Sequence, residues 1–136
     1  MPCLEDSMSR AVLVTIVLSL FVGLAIHAEE TMNSVAMTTA IGEGSDQELT
    51  KLYENQWTKL VQITLRNGKT LAAHKAAEPV TIQCVSGQGV LVVGDERIEL
   101  KQGVVVVLEP NVGHAVESKP AVSVLVTRFL RGASEP

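Results

Sequence analysis

Two histidines, His74 and His114, stand 40 positions apart in a 136-residue chain whose third histidine, His27, follows an amino-terminal apolar segment. Imidazole binds first-row metal ions and titrates near neutral pH. A pair brought together could hold a metal ion, bind a small molecule by hydrogen bonds, or act as base and acid. For a metal ion the pair alone is at least one protein ligand short of the usual three. Cys84 could add a thiolate if its side chain faces inward, and Glu78, just before Pro79, could add a carboxylate. The plainer alternatives are that Cys84 is a small buried apolar residue and Glu78 a solvated turn residue. The ligand-pocket candidates are therefore His74, His114, Cys84 and Glu78, with His74 and His114 as the metal-binding pair. Without metal, the imidazoles would hydrogen-bond each other, water or a small anion. The chain has no Gly-x-Ser-x-Gly element, no Gly-rich phosphate loop and no pair of carboxylates on one strand.

The elements that must position these side chains read as strands. Gly68, Gly87-Gln88-Gly89, Gly94-Asp95-Glu96 and Lys101-Gln102-Gly103 are turn signals, and short runs rich in Val, Ile, Leu and Thr lie between them. This regular spacing predicts an all-β barrel or sandwich. On strand parity His74 shares a face with Ala76, and Val80 and Ile82 share one with Cys84. Trp57 to Arg66 alternates as a half-buried strand and ends at Asn67-Gly68, a strong hairpin signal that predicts pairing with the strand carrying His74. Val104 to Leu108 has no polar alternation, so both its faces should be buried. Lys119-Pro120 reads as a turn before a last strand, Val122 to Leu130. Ahead of all these, Ser45-Asp46-Gln47-Glu48 has capping-box spacing, with Leu49, Leu52, Tyr53 and Trp57 at helical intervals. A short helix from Asp46 to about Asn55 is expected there.

Residues 67 to 118 resemble the two motifs of the cupin family. Gly68, His74 and Gly87 fit the first motif, and Gly103 and His114 fit the second. Other motif positions differ: Ala76 replaces the second histidine of the pair, Val80 the glutamate, Glu109 and Asn111 the Pro and Gly of the turn, and Ser118 the final asparagine, with Pro110 one place late. The resemblance implies a cupin-type β-barrel, or jelly-roll, in which His74 and His114 meet inside. It also implies a site for one divalent ion of Zn, Fe, Mn, Ni or Cu, two of whose four usual ligand positions here carry side chains that cannot bind metal. Asn111 tolerates left-handed backbone, so the turn that aims His114 can survive. Three functions follow as expectations. The first is a protein that binds a small ligand or a divalent metal around His74 and His114. The second is a metal-dependent enzyme, a dioxygenase or isomerase, whose metal sphere is completed by Cys84, Glu78 or substrate. The third is a structural or partner-binding barrel. Small cupins commonly pair through their sheets, so a homodimer is a further expectation, and the second subunit or the helix would cover Val104 to Leu108.

Composition bounds the rest. The length suits one domain with a single core. A net charge of -4 and a 3% aromatic content exclude an ordinary nucleic-acid surface, which needs basic side chains and stacking platforms. Residues 11 to 26 are continuously apolar, led by Arg10 and followed by Ala28 and two glutamates. At 16 residues the run is shorter than the ~20 that span a bilayer, so it reads as a secretory signal peptide cleaved after Ala28, with an uncleaved anchor as the alternative. Met8 offers a better start than Met1, since it leaves Arg10 without Glu5 and Asp6. The expected product is secreted or periplasmic, with a charge of -3 and Cys84 as its one cysteine, so no disulfide forms within the chain. The expected domains are a signal peptide over 1–28, a flexible lead or an extended arm over 29–45, the barrel over 46–131 and a frayed tail over 132–136.

Overall fold

The computed structural model describes residues 31–131, so the signal peptide and the tail at 132–136 lie outside the described residues. In the compact unit that begins at Ser34 there are seven strands: β1 (Gln47–Glu54), β2 (Thr58–Leu65), β3 (Thr70–His74), β4 (Val80–Val93), β5 (Glu96–Lys101), β6 (Val105–Leu108) and β7 (His114–Phe129). All their pairings are antiparallel.

Strand β7 organises the barrel. One edge pairs with β4 from Val80↔Arg128 to Val92↔Ala115. The other edge is shared, with β2 on Val122 to Phe129 and β3 on His114 to Glu117. Strands β5 and β6 extend β4 outward, and β1 extends β2. The core is aliphatic: Ile63 and Leu65 of β2, Val80, Ile82, Cys84 and Leu91 of β4, Leu100, Leu108, and Val116, Val122 and Val124 of β7. Ile63 and Leu65, then Val80, Ile82 and Cys84, then Val122 and Val124 fall at alternate positions, as the two-residue period of a pleated strand requires, and the register shifts in β4 put Leu91 out of step with Cys84. Val, Ile and Leu suit that surface because branched side chains pack well against cross-strand neighbours.

The segment expected to be a helix, Asp46 to Asn55, is instead mainly strand β1, paired with β2 from Gln47↔Leu65 to Glu54↔Lys59. A β-bulge between Lys51 and Tyr53 accounts for the misleading pattern. One extra residue breaks a two-residue alternation, so apolar positions fall at Leu49, Leu52 and Tyr53, the intervals of a helix turn.

Four other expectations are corrected. Asn67-Gly68 does form a tight turn, with both residues at positive φ (54° and 70°) and Lys69 N–H donating to the Arg66 carbonyl at 3.0 Å. The flanking strands do not pair with each other, however, because both take the same edge of β7. Gly87-Gln88-Gly89 is not a turn either, for β4 runs through it with register shifts, and β7 likewise runs through Lys119-Pro120. Strand β6 buries one face only: Leu108 is in the core, and Val105 and Val107 are 51% and 68% exposed.

The segment from Thr38 to Ser45 lies along the outer side of β2. Arg66 holds it there, donating to the carbonyls of Gly42 (3.1 Å), Ser45 (2.7 Å) and Ile41 (2.7 Å) while pairing with Glu48 (2.9 Å). Gln62 exchanges hydrogen bonds with the Thr38 backbone and donates to Ser123 at 2.8 Å. Gln62, Arg66 and Ser123 are therefore buried yet satisfied, as buried polar groups must be.

Candidate functional site

His74 ends β3, His114 opens β7, and the two are cross-strand partners. Their rings lie 4.4 Å apart between centroids and are inclined at 58°. The separation of 40 residues is bridged by the turn before β7. Asn111 adopts the left-handed conformation (φ 64°) and its N–H donates to the Ala76 carbonyl at 2.7 Å, tying the loop that leads to His114 to the loop that follows His74. Asparagine is among the few residues that accept this conformation readily. The expected survival of the turn holds.

Both imidazoles are held the same way. Nδ1–H of His74 donates to the Ala72 carbonyl, and Nδ1–H of His114 to the Val112 carbonyl, each at 2.9 Å. A carbonyl can only accept, so Nδ1 carries the proton, and a neutral ring keeps its lone pair on Nε2. The environments differ: His114 is buried and His74 exposed. Burial lowers the pKa of His114, its bond to Val112 opposes this, and the neighbouring His74 lowers it further.

The rings stand between two spaces. Below them is an apolar cavity of about 40 Å³ lined by Ile63, Leu71, Ile82, Val116, Val124 and their neighbours. That is room for a water molecule or a few ligand atoms. Above them is a mouth of about 140 Å³ lined by His74, Lys75, Ala76, Val80, His114, Val126 and Arg128. His74, His114 and Val126 border both spaces.

Cys84 and Glu78 border neither. Cys84 is in the aliphatic core at 1% exposure, its Sγ near the carbonyls of Ser86 and Gly87, and burial raises its pKa. Glu78 is bound to Arg128, whose hydrogen bond lowers the pKa of its carboxyl. Among the described residues no group of three or more His, Cys, Asp or Glu side chains could hold a metal ion. The two imidazoles remain one ligand short of a usual protein site.

Sequence reasoning singles out neither Arg128 nor Lys75. Parity could have found Arg128: Val122, Val124 and Val126 face inward, so Arg128 is the next position on that face, where the strand leaves the core. Lys75 carries no comparable signal.

Because protonation of His114 is disfavoured in the fold, the unfolded chain binds a proton more readily than the folded one. Stability is then fully present above the ordinary histidine pKa and declines as pH falls from about 6.5 toward the lower folded value. We expect thermal melts to show Tm falling between about pH 7 and 5, with a smaller fall in His114→Gln. Equal falls in the two proteins would refute this assignment.

No family model matches the chain, and no curated protein matches it. Solved structures do. A RmlC-like cupin protein from Desulfovibrio desulfuricans is 26% identical, with 73% of this chain and 97% of that one covered at a TM-score of 0.65. A cupin superfamily protein from Desulfitobacterium hafniense is 13% identical over 66% and 83% of the two chains (TM-score 0.62). A RmlC-like cupin with a double-stranded β-helix fold from Methanocaldococcus jannaschii is 16% identical over 73% and 91% (TM-score 0.61).

Proposed function

We propose that this small chain, whose jelly-roll β-barrel has the fold of the RmlC-like cupins, is a cupin-domain binding protein, exported from the cytoplasm, that holds a small molecule in the pocket around His74 and His114. The observation that carries this reading is the position of the imidazole pair between an apolar interior and a polar mouth. Small-molecule sites combine an apolar lining with a few fixed polar groups. Here the fixed groups are two Nε2 acceptors, aimed because each Nδ1–H is tied to its own backbone. Such nitrogens accept from an O–H or N–H when the ring is neutral and donate to an oxygen when it is protonated, so they do not by themselves fix the charge of the ligand. Export rests on the apolar stretch from Ala11 to Ile26 and the small residue Ala28 after it.

A divalent metal at His74 and His114 is the second reading, favoured by one observation. A backbone carbonyl on the far nitrogen is the usual orienting contact of a metal-bound histidine. Against it stand the short ligand set and the cations Lys75 and Arg128 at the mouth. A metal-dependent enzyme would need substrate to complete the sphere, because Cys84 and Glu78 are engaged elsewhere.

The two readings part in metal analysis of protein purified without chelator, run alongside native mass spectrometry. The binding-protein reading expects substoichiometric metal in wild type and a small organic adduct that disappears in His74→Ala and His114→Ala. Stoichiometric metal lost in either variant would transfer the site to the metal reading.

A further inference from the structure

Arg128 is the feature of the pocket that the histidine pair does not explain. It sits at the end of β7 on the inward face, lines the mouth beside Lys75, His74 and His114, and is half-buried. Its guanidinium NH2 group is hydrogen-bonded to the Glu78 carboxylate, and its Nε is buried with no hydrogen-bond partner. A buried donor without a partner is costly. Guanidinium offers a planar fork that fits a carboxylate through two parallel bonds. Here only one tooth of the fork is used, and it is used on a carboxylate.

We propose that the mouth recognises the carboxylate of a short aliphatic acid, with Arg128 gripping the head group, Lys75 adding charge, and the alkyl tail passing the imidazoles into the cavity of Ile63, Leu71, Ile82 and Val124. Glu78 is then an internal competitor, a carboxylate of the chain itself that occupies the guanidinium and must yield part of it to the ligand. The choice of acid follows from the two spaces. The mouth is cationic and the interior wholly aliphatic apart from the two rings, so the ligand must be charged at one end and apolar at the other. The small interior limits the tail to a few carbons. Inorganic phosphate shares the charge but has nothing to place inside.

The inference rests on the pocket reading above, and its test keeps the two apart. The imidazole proton resonances of His74 and His114 would be followed by NMR as isobutyrate, the neutral isobutyramide and inorganic phosphate are added to wild type, Arg128→Gln and Glu78→Gln. We expect isobutyrate to shift both rings with a Kd on the order of 1 mM, and isobutyramide and phosphate to bind at least about tenfold more weakly. Arg128→Gln should weaken isobutyrate about tenfold or more, and Glu78→Gln should tighten it several-fold by freeing the fork. The second variant matters if the first fails to fold. Equal shifts from isobutyrate and isobutyramide, unchanged in Arg128→Gln, would overturn the carboxylate inference and leave the pocket reading standing. Equal shifts from phosphate, or weaker isobutyrate binding in Glu78→Gln, would also overturn it. No ring shift from any probe would likewise overturn the carboxylate inference, while the pocket reading is decided by the organic adduct in native mass spectrometry.

Discussion

Replacing Gly87 by alanine is expected to destabilise the barrel by about 3 kcal/mol or more, whereas the same change at Gly68 costs about 1 kcal/mol. Both glycines have left-handed backbone, at φ 74° and 70°, so both substitutions carry the steric penalty of a Cβ in that conformation. They differ in what that Cβ would meet. At Gly68 there is no atom within 4 Å, while at Gly87 the new carbon would collide with the carbonyl oxygen of Ala121 on β7. The obstacle is backbone in the middle of the longest strand pairing, so a side-chain rotation cannot relieve it. Gly89 repeats the situation, its would-be Cβ lying 2.6 Å from the Glu117 carbonyl oxygen. These two glycines let β4 pass close against β7 on either side of Lys119-Pro120, where the pairing shifts register. Thermal or urea unfolding of the two alanine variants checks this: Gly87→Ala should lower Tm by roughly 12 °C or more. A Gly87→Ala protein no less stable than Gly68→Ala would show that the close approach does not constrain the fold.

The same glycines show how much of the structure is legible in the sequence. Gly87 stands out as a marked position, but its role is not a turn. A glycine required for close approach and a glycine required for a turn look alike in a sequence. The histidine pair is legible, because Gly68, His74, Gly103 and His114 keep the spacing of a known barrel, and the rings do meet at 4.4 Å. The inward face of β4 is legible too, since Val80, Ile82 and Cys84 alternate with partly exposed residues and all three are in the core. Information that resides in the partner strand is not. The free edge of β2 captures Gln47 to Glu54 as a strand, and the competition of β2 and β3 for one edge of β7 prevents the hairpin that Asn67-Gly68 suggests. The cationic rim is hidden for a related reason. Arg128 reads as an ordinary charged residue near a strand end until the parity of the valines before it is followed across the core boundary.

Arg66→Met is the substitution expected to detach the segment between Thr38 and Ser45, at a cost of about 2–4 kcal/mol. Arg66 is 9% exposed and commits its guanidinium to three backbone carbonyls and Glu48. Methionine retains much of the aliphatic stem and removes every donor, so the carbonyls of Ile41, Gly42 and Ser45 lose their protein partner at once. Water can take over at those carbonyls once the segment lifts, which is why the cost falls below the sum of four charge-assisted bonds. Detachment would also expose Gln62 and Ser123, which the segment helps to shield. The fit is tight as well as polar: a Cβ on Gly44 would lie 2.8 Å from Arg66 Nη1, so Gly44→Val attacks the same contact from the other side. Hydrogen exchange separates detachment from general destabilisation. In Arg66→Met the Thr38 amide, which donates to Gln62, should lose protection while amides of β4 and β7 at the core keep theirs in proportion to the global stability. Uniform loss across the barrel would mean that Arg66 supports the β2 end of the sheet itself, and unchanged protection at Thr38 would mean that Gln62 alone suffices to hold the segment.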